Sequence, residues 1–479
     1  MNHGRIARQG VIVLIAAGLG SAASLGSTLG FPVIVGTETF GLWIIFFATA
    51  RAGAVLEPSL LNVGTVFASR ALGDSPFDFR GFLRLRFWVA AASGAFSVVL
   101  GVGVLRFTSW TDTDSSLRVV FILAAAVVAI CRPLIASVVG MHQGLTRYSV
   151  GAQMSIAMSV GTAVSVLAAA VVTRELRYMI LAAAGTHVAV TVLSELRLRR
   201  LRLTLQNTPV RSAPSELRRL LWLNCAATAP SIAFGQADRL VAATVLGPSA
   251  VAVYAIVTSI ANQMNTPTAA LSKPLLQALS GPDVSKQGRR GLLVDSLRLV
   301  ALTSSASGLI CLVGLTVLRR LSSEYAGVTV SLTFVALMLY GLFSLAAVGW
   351  WAALARGENA GWLPAGFSFL GALLTLLGVF FLGGWFGIGG AIAANAGFGV
   401  MYIFQLIALN SDLSVAQVVR AQLWPTVGFV VGGLGLVLNV GLAGSILLSV
   451  IVLAQVVALL RMVLPRRNPT TLGQREAAR

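Results

Sequence analysis

The sequence predicts an all-α polytopic membrane protein of about fourteen transmembrane helices, arranged as two pseudo-symmetric six-helix lobes plus two C-terminal helices. Three observations predict it. Of 479 residues, 57% are hydrophobic and only 11% charged, against about 25% charged in soluble domains. Mean hydropathy is +0.86. The whole length divides into apolar stretches of roughly 20 residues, each able to cross about 30 Å of hydrocarbon as a helix.

Breaks at Gly, Pro and polar clusters place the helix centres near residues 22, 54, 97, 128, 160, 186, 233, 263, 305, 340, 371, 397, 431 and 453. The first span follows Arg5 and Arg8 and runs through "VIVLIAAGLGSAASLGSTLGFPVIVG", too long for a signal-peptide core, so it is expected to be retained. An even count puts both termini on one side. Loops on that side carry Arg70, Arg80, Arg84 and Arg86, then seven arginines between Arg197 and Arg219, then Lys286, Arg289 and Arg290. By the positive-inside rule that side is cytoplasmic, which implies a multi-pass protein of the inner (plasma) membrane with both termini inside. The opposite loops, "GTETF", "TSWTDTDSS", "GPSA" and "GGWFG", are short and nearly free of positive charge, with Arg174/Arg177 and Arg319/Arg320 as exceptions. Helices 11 and 12, and 13 and 14, are the weakest divisions, and twelve spans is the alternative.

The net charge of +19 follows from these inner loops, so no nucleic-acid partner is expected. Cys131, Cys225 and Cys311 lie far apart inside apolar runs and read as packing residues, with no metal spacing. There is no nucleophile elbow, HExxH or Walker sequence, and no cofactor or metal site is expected. Gly383, Gly384, Gly387, Gly389 and Gly390 lack the Lys-Ser/Thr of a phosphate loop and read as a tight turn. Trp88, Trp222, Trp362 and Trp424 fall at inner helix ends, where an interfacial belt explains them.

The longest polar stretch, residues 196–219, falls between spans 6 and 7. It divides the chain into an N-terminal lobe (1–200), a basic linker (201–219), a C-terminal lobe (220–410) and two further helices with a basic tail (411–479). The lobes repeat weakly: shifting "VIVGTETFGLWIIFFATA" by 211 residues onto "ATVLGPSAVAVYAIVTSI" brings Gly36 onto Gly247 and Trp43 onto Tyr254. The same shift brings the turn after span 4 onto the turn after span 10. Parallel six-helix repeats put a transported substrate where the halves meet.

Charges at mid-membrane cost about 2.5–3.5 kcal/mol each on insertion scales, so those that persist usually face a bundle interior or a wet passage. The candidates are Arg51, Glu57, Arg132, Asp238, Arg239 and Lys273. Arg51 and Glu57 are expected on one helix but different faces, with a kink at Pro58. Asp238 and Arg239 are neighbours about 100° apart, so each needs its own partner. The simplest arrangement turns Asp238 toward a cationic side chain and Arg239 toward water. The positive surplus favours an anionic ligand, through guanidinium forks on phosphate. An ion pair holding helices together explains Asp238 equally well, and Arg132 and Lys273 read also as snorkelling cations. His187 reads as a packing donor or, less simply, a proton carrier.

At spans 1–2 and 7–8 the wording becomes familiar. "VGTETFGLWIIFFATARAGAVLEPSLLNVGTVFASRALG" and "ADRLVAATVLGPSAVAVYAIVTSIANQMNTPTAALSKPLLQAL" resemble matching segments of bacterial polysaccharide exporters. These are the Wzx-type O-antigen flippases of the multidrug/oligosaccharidyl-lipid/polysaccharide (MOP) superfamily. The resemblance implies a MATE-like pair of lobes around a central cationic cavity. It also implies a flippase that moves undecaprenyl-pyrophosphate-linked oligosaccharides from the cytoplasmic to the outer leaflet by alternating access. It makes Arg51, Arg132, Arg239 and Lys273 anion contacts, and Glu57 and Asp238 coupling or ion-pair residues. The implied partners are a lipid-linked anionic glycan and membrane lipids, with a polysaccharide polymerase or glycosyltransferases as further candidates. A lipid II flippase and a multidrug antiporter are the rival readings. A membrane polymerase is disfavoured, because it needs larger outer loops.

Overall fold

A computed structural model describes residues 3–71, 79–107, 115–145, 147–205, 235–266, 286–321, 327–355 and 362–438, with positions 221, 222, 225, 268, 325, 444, 450, 451, 454, 455, 457 and 458. Lys273 lies outside the described residues, as does most of the basic linker.

The described chain is helical throughout, as the bilayer demands when every backbone N–H and C=O must find an internal partner. The N-terminal lobe holds α1 (His3–Val35), α2 (Thr37–Gly53), α3 (Glu57–Ala71), α4 (Phe79–Phe107), α5 (Ser115–Gly144), α6 (Tyr148–Thr173) and α7 (Leu176–Leu205). The C-terminal lobe holds α8 (residues 235–246), α9 (Pro248–Asn262), α10 (Lys286–Leu321), α11 (Val330–Leu345), α12 (Ala347–Ala355), α13 (Trp362–Ala393) and α14 (Gly399–Leu409). A further span, α15 (Val415–Val437), packs against α10. Among the described residues eight helices are long and apolar enough to cross a membrane, or nine if α2 and α3 form one bent span. Together with the partly described spans this is consistent with about fourteen.

Three expectations about helix ends change. Arg86, placed by sequence in an inner loop, lies inside α4, is fully buried and pairs with Glu195 of α7. The charge run marks an apolar boundary, but α4 already begins at Phe79. Likewise α7 continues through Arg197 to Leu205, and α10 begins at Lys286, so several of the basic residues assigned to loops extend helices beyond the hydrocarbon. Finally, Arg51 and Glu57 do not share one helix. Pro58 lacks an N–H and its ring opposes the carbonyl four residues back, and the chain answers with a bend of 41° between α2 and α3. Pro58 then falls in the first turn of α3, where its missing donor costs nothing.

The repeat is visible in the backbone. Gly36 and Gly247 precede α2 and α9 with φ of 81° and 80°, a left-handed conformation that glycine adopts without a Cβ penalty. The α2–α3 break finds its counterpart after α9, where the helix gives way to turns at 263–264. Gly387, with φ 61°, folds α13 back on itself and gives the tight turn expected of the glycine cluster.

One core is common to both lobes, with Phe31, Phe40, Trp43 and Phe46 from the first and Tyr254, Leu312 and Phe334 from the second. It lies toward the turns at Gly36, Arg174, Gly247 and Gly387. There α2 and α9 touch so closely that a Cβ on Gly41 would meet the Pro248 carbonyl, the small-residue approach that membrane helices use in place of a hydrophobic driving force. Tyr325 Oη adds a polar contact across the lobes by donating to the Leu29 carbonyl of α1. Toward the basic ends the cores separate. One, with Leu60, Phe82, Met141 and Leu198, is built on the first lobe and takes in Leu221 and Cys225 from the start of the second; another, with Leu293, Trp351, Leu409 and Val418, belongs to the second side of the molecule.

Candidate functional site

The deep charges gather where the shared core forks. In the first lobe the α2–α3 break sets Glu57 at the start of α3. Its carboxylate accepts a hydrogen bond of 2.6 Å from Arg132 Nε on α5. Arg132, expected among the free anion contacts, is therefore in a charge-assisted pair, the stronger kind of hydrogen bond. Arg51, in the last turn of α2, stacks its guanidinium 5.1 Å from the centre of the Phe47 ring. It lies within electrostatic range of Arg132, Glu57 and, across the lobe boundary, Arg239.

In the second lobe Asp238 is 2% exposed. The expected cationic side chain is replaced by a phenol: Tyr254 Oη donates to Asp238 Oδ2 at 3.0 Å, and the Arg239 backbone N–H donates to Oδ1 at 2.7 Å. The physical reason lies in the hairpin about Gly247. Asp238 precedes that turn by nearly as many residues as Tyr254 follows it, so the two meet at one depth. That symmetry about a turn was the sequence signal for Tyr254. Tyr340 and Asn395, both buried, stand around the same pair.

Arg239 turns away from the carboxylate, as neighbours on a helix must. Its Nη2 donates to Ser259 Oγ at 3.1 Å, while its Nε is buried with no hydrogen-bond partner. An orphaned buried donor is rare enough to need a reason. Among the described residues neither Arg51 nor Arg239 enters an ion pair. The fork thus holds three guanidiniums against two carboxylates, one of which, Asp238, is already occupied by a phenol and an amide.

His187, on α7, is 1% exposed and its Nδ1 donates to the Ala183 carbonyl at 2.9 Å, the packing role. Its Nε2 has no partner and lies near Arg132, Glu57 and Arg51. No group of three or more metal-ligating side chains occurs among the described residues. Trp88, Trp222 and Trp424 are largely exposed; the side chain of Trp362 lies outside the described residues.

The polar residues that sequence reasoning did not single out form a second cluster. After the break that follows α9, Thr268, Ser304 of α10 and Ser344 of α11 join hydroxyls at 2.5–3.3 Å. The freed Met264 carbonyl lies 3.4 Å from Ser304 Oγ and 3.2 Å from Ser344 Oγ and accepts from one of them, while the other serine's proton serves the hydroxyl–hydroxyl contact. Lone Ser and Thr on apolar helices usually bond their own backbone one turn back, so nothing in their spacing announces such a cluster.

No protein-family model matches the chain, and no curated protein matches its sequence. Solved structures do match its shape. The lipid II flippase MurJ, in an inward closed conformation, superposes with a TM-score of 0.60 over 94% of this chain and 99% of that one, at 10% identity. The MATE multidrug transporter DinF-BH gives 0.59 over 88% and 97%, at 15% identity. The fold is MATE-like. A point mutant of the Vibrio cholerae MATE transporter VcmN gives 0.57 over 85% and 97% at 15% identity. All three neighbours are membrane transporters, and at these identities they establish the architecture of the chain.

Proposed function

We propose that the chain is a flippase that carries a lipid-linked anionic glycan, of the undecaprenyl-pyrophosphate type, across the inner membrane by alternating access. The observation that carries this reading is the fork: Arg51 from one lobe and Arg239 from the other lie within electrostatic range of each other, neither held in an ion pair among the described residues. Guanidinium forks match pyrophosphate oxygens bidentately and offset part of the hydration the headgroup loses. The lipid tail stays in the bilayer while the lobes rock about the site.

With the basic ends facing the cytoplasm, the shared core lies on the outer side of the site. Both termini are then cytoplasmic, and the lobes divide at the basic linker 201–219; Lys273 stays a further anion contact on the sequence reading alone. Asp238, fixed by Tyr254, is the coupling or structural carboxylate of the second lobe. A multidrug antiporter for cations is disfavoured by the sign of the fork, since positive drugs call for a surplus of carboxylates. A polysaccharide polymerase or glycosyltransferases are the partners that would supply or consume such cargo.

The test is transport in cells. Arg51→Ala and Arg239→Ala are each expected to stop lipid-linked sugar from reaching the outer face while the protein remains in the membrane. Wild-type transport by both variants would remove these residues, and this reading, from consideration.

A further inference from the structure

We propose that Glu57 is a tethered anion: it occupies Arg132 while the site is empty and is displaced when an anionic headgroup arrives, freeing the α2–α3 bend. The inference rests on the anion-binding reading above and assigns that site its internal competitor.

The first ground is asymmetry between the two helix breaks. Under the 211-residue shift Glu57 corresponds to Thr268 and Pro133, beside Arg132, corresponds to Ser344. In the second lobe the break is closed by neutral hydroxyls, Thr268 to Ser344 at 2.7 Å and Ser304 to Ser344 at 2.5 Å, around the Met264 carbonyl. A break in this fold therefore does not need a charged pair to close it. The first lobe nevertheless carries one, at greater desolvation cost.

The second ground is placement. Side-chain exposures of 9% for Arg132 and 19% for Glu57 leave the carboxylate the more open of the two and the pair incompletely buried. The contact uses Arg132 Nε. Arg51 lies in electrostatic range of both Glu57 and Arg132, so any anion it attracts arrives beside a carboxylate already there. Two like charges brought together without relief cost several kcal/mol. The incoming anion and Glu57 must therefore compete for Arg132.

The third ground is what release would do. Glu57 is the first residue of α3, immediately after the 41° bend. Its bond to Arg132 is the charged tie between the start of α3 and α5, two helices that also pack closely further along, at Gly140 against the Leu61 carbonyl. Exchange of that tie for a ligand contact converts binding into freedom at the hinge, with a differential contact in the two states as a population shift requires.

The test uses the purified full chain in detergent and inorganic pyrophosphate as the probe, with the dissociation constant read by calorimetry. Glu57→Gln is expected to bind pyrophosphate about tenfold more tightly than wild type, the low end for displacing a hydrogen bond to a charged group. Glu57→Asp, which draws the carboxylate back by one methylene, is expected to move in the same direction by less, and it decides the matter where the Gln variant does not fold. Ser344→Ala, at the corresponding break, is expected to leave the affinity unchanged. Equal or weaker binding by the Glu57 variants, or a change in Ser344→Ala as large as theirs, overturns the competition. A wild-type protein with no measurable affinity is expected to gain one in Glu57→Gln, and absence of binding in both also overturns it. The underlying anion site is judged separately: if wild type binds and Arg51→Ala binds equally well, that reading falls whatever Glu57 does.

Discussion

Substituting Gly41 by Ala places one methyl group at the closest approach of the two lobes. A Cβ there would sit within contact distance of the Pro248 oxygen, carbonyl carbon and Cα. All three are backbone atoms of α9, so no side chain can rotate away and the helices themselves must separate. Overpacking of this kind costs about 1–3 kcal/mol. The strain exists only while the lobes are closed over this seam, so the whole cost bears on the conformational equilibrium, which should shift roughly 5- to 150-fold toward the separated state. Spin labels on Glu38→Cys and Ser249→Cys, both exposed positions flanking the seam, report it. The parent protein is expected to give one short distance, and Gly41→Ala a second, longer population. An unchanged distance distribution would show that α2 and α9 do not form the closing seam.

Other expectations follow from single contacts. Tyr325→Phe removes the polar bond from the second lobe to the Leu29 carbonyl; the loss of about 1 kcal/mol should favour the separated state roughly fivefold in the same distance measurement. Tyr254→Phe leaves the buried Asp238 carboxylate without its phenol, and thermal unfolding in detergent should register a loss of about 1–3 kcal/mol. Gly140→Ala drives a Cβ into the Leu61 carbonyl between α3 and α5; a cost of about 1–3 kcal/mol should lower the unfolding temperature, while the distance across the lobe seam stays as it was. Arg132→Ala, which strands Glu57, should cost about 3 kcal/mol in the same unfolding assay, the lower end for breaking a largely buried pair.

Much of the fold was legible because a bilayer simplifies the reading. Apolar length alone marks a span, and a glycine forced to positive φ marks the same turn in both lobes, so Gly36 and Gly247 could be aligned without sequence identity. Pro58 announced a disruption, although a break rather than a kink followed, with a turn at residues 54–56 between α2 and α3. The burial of Arg132 and Asp238 was also legible from depth. Their partners were not: Arg132 and Glu57 are 75 residues apart, and only the packing of α3 on α5 joins them. Arg86 was misplaced because a run of three arginines looks like a loop, whereas one of them faces Glu195 and the interior. Asp238 shows the middle case, where counting outward from Gly247 would have pointed to Tyr254.

The central claim is that guanidiniums from both lobes receive a phosphorylated headgroup. Its most direct test is flipping by the purified protein in proteoliposomes, comparing an undecaprenyl-pyrophosphate-linked saccharide with a saccharide on the same lipid lacking phosphate. The account predicts transfer of the first alone, abolished in Arg51→Ala and in Arg239→Ala. Equal transfer of both lipids, or transfer that survives both substitutions, would contradict it.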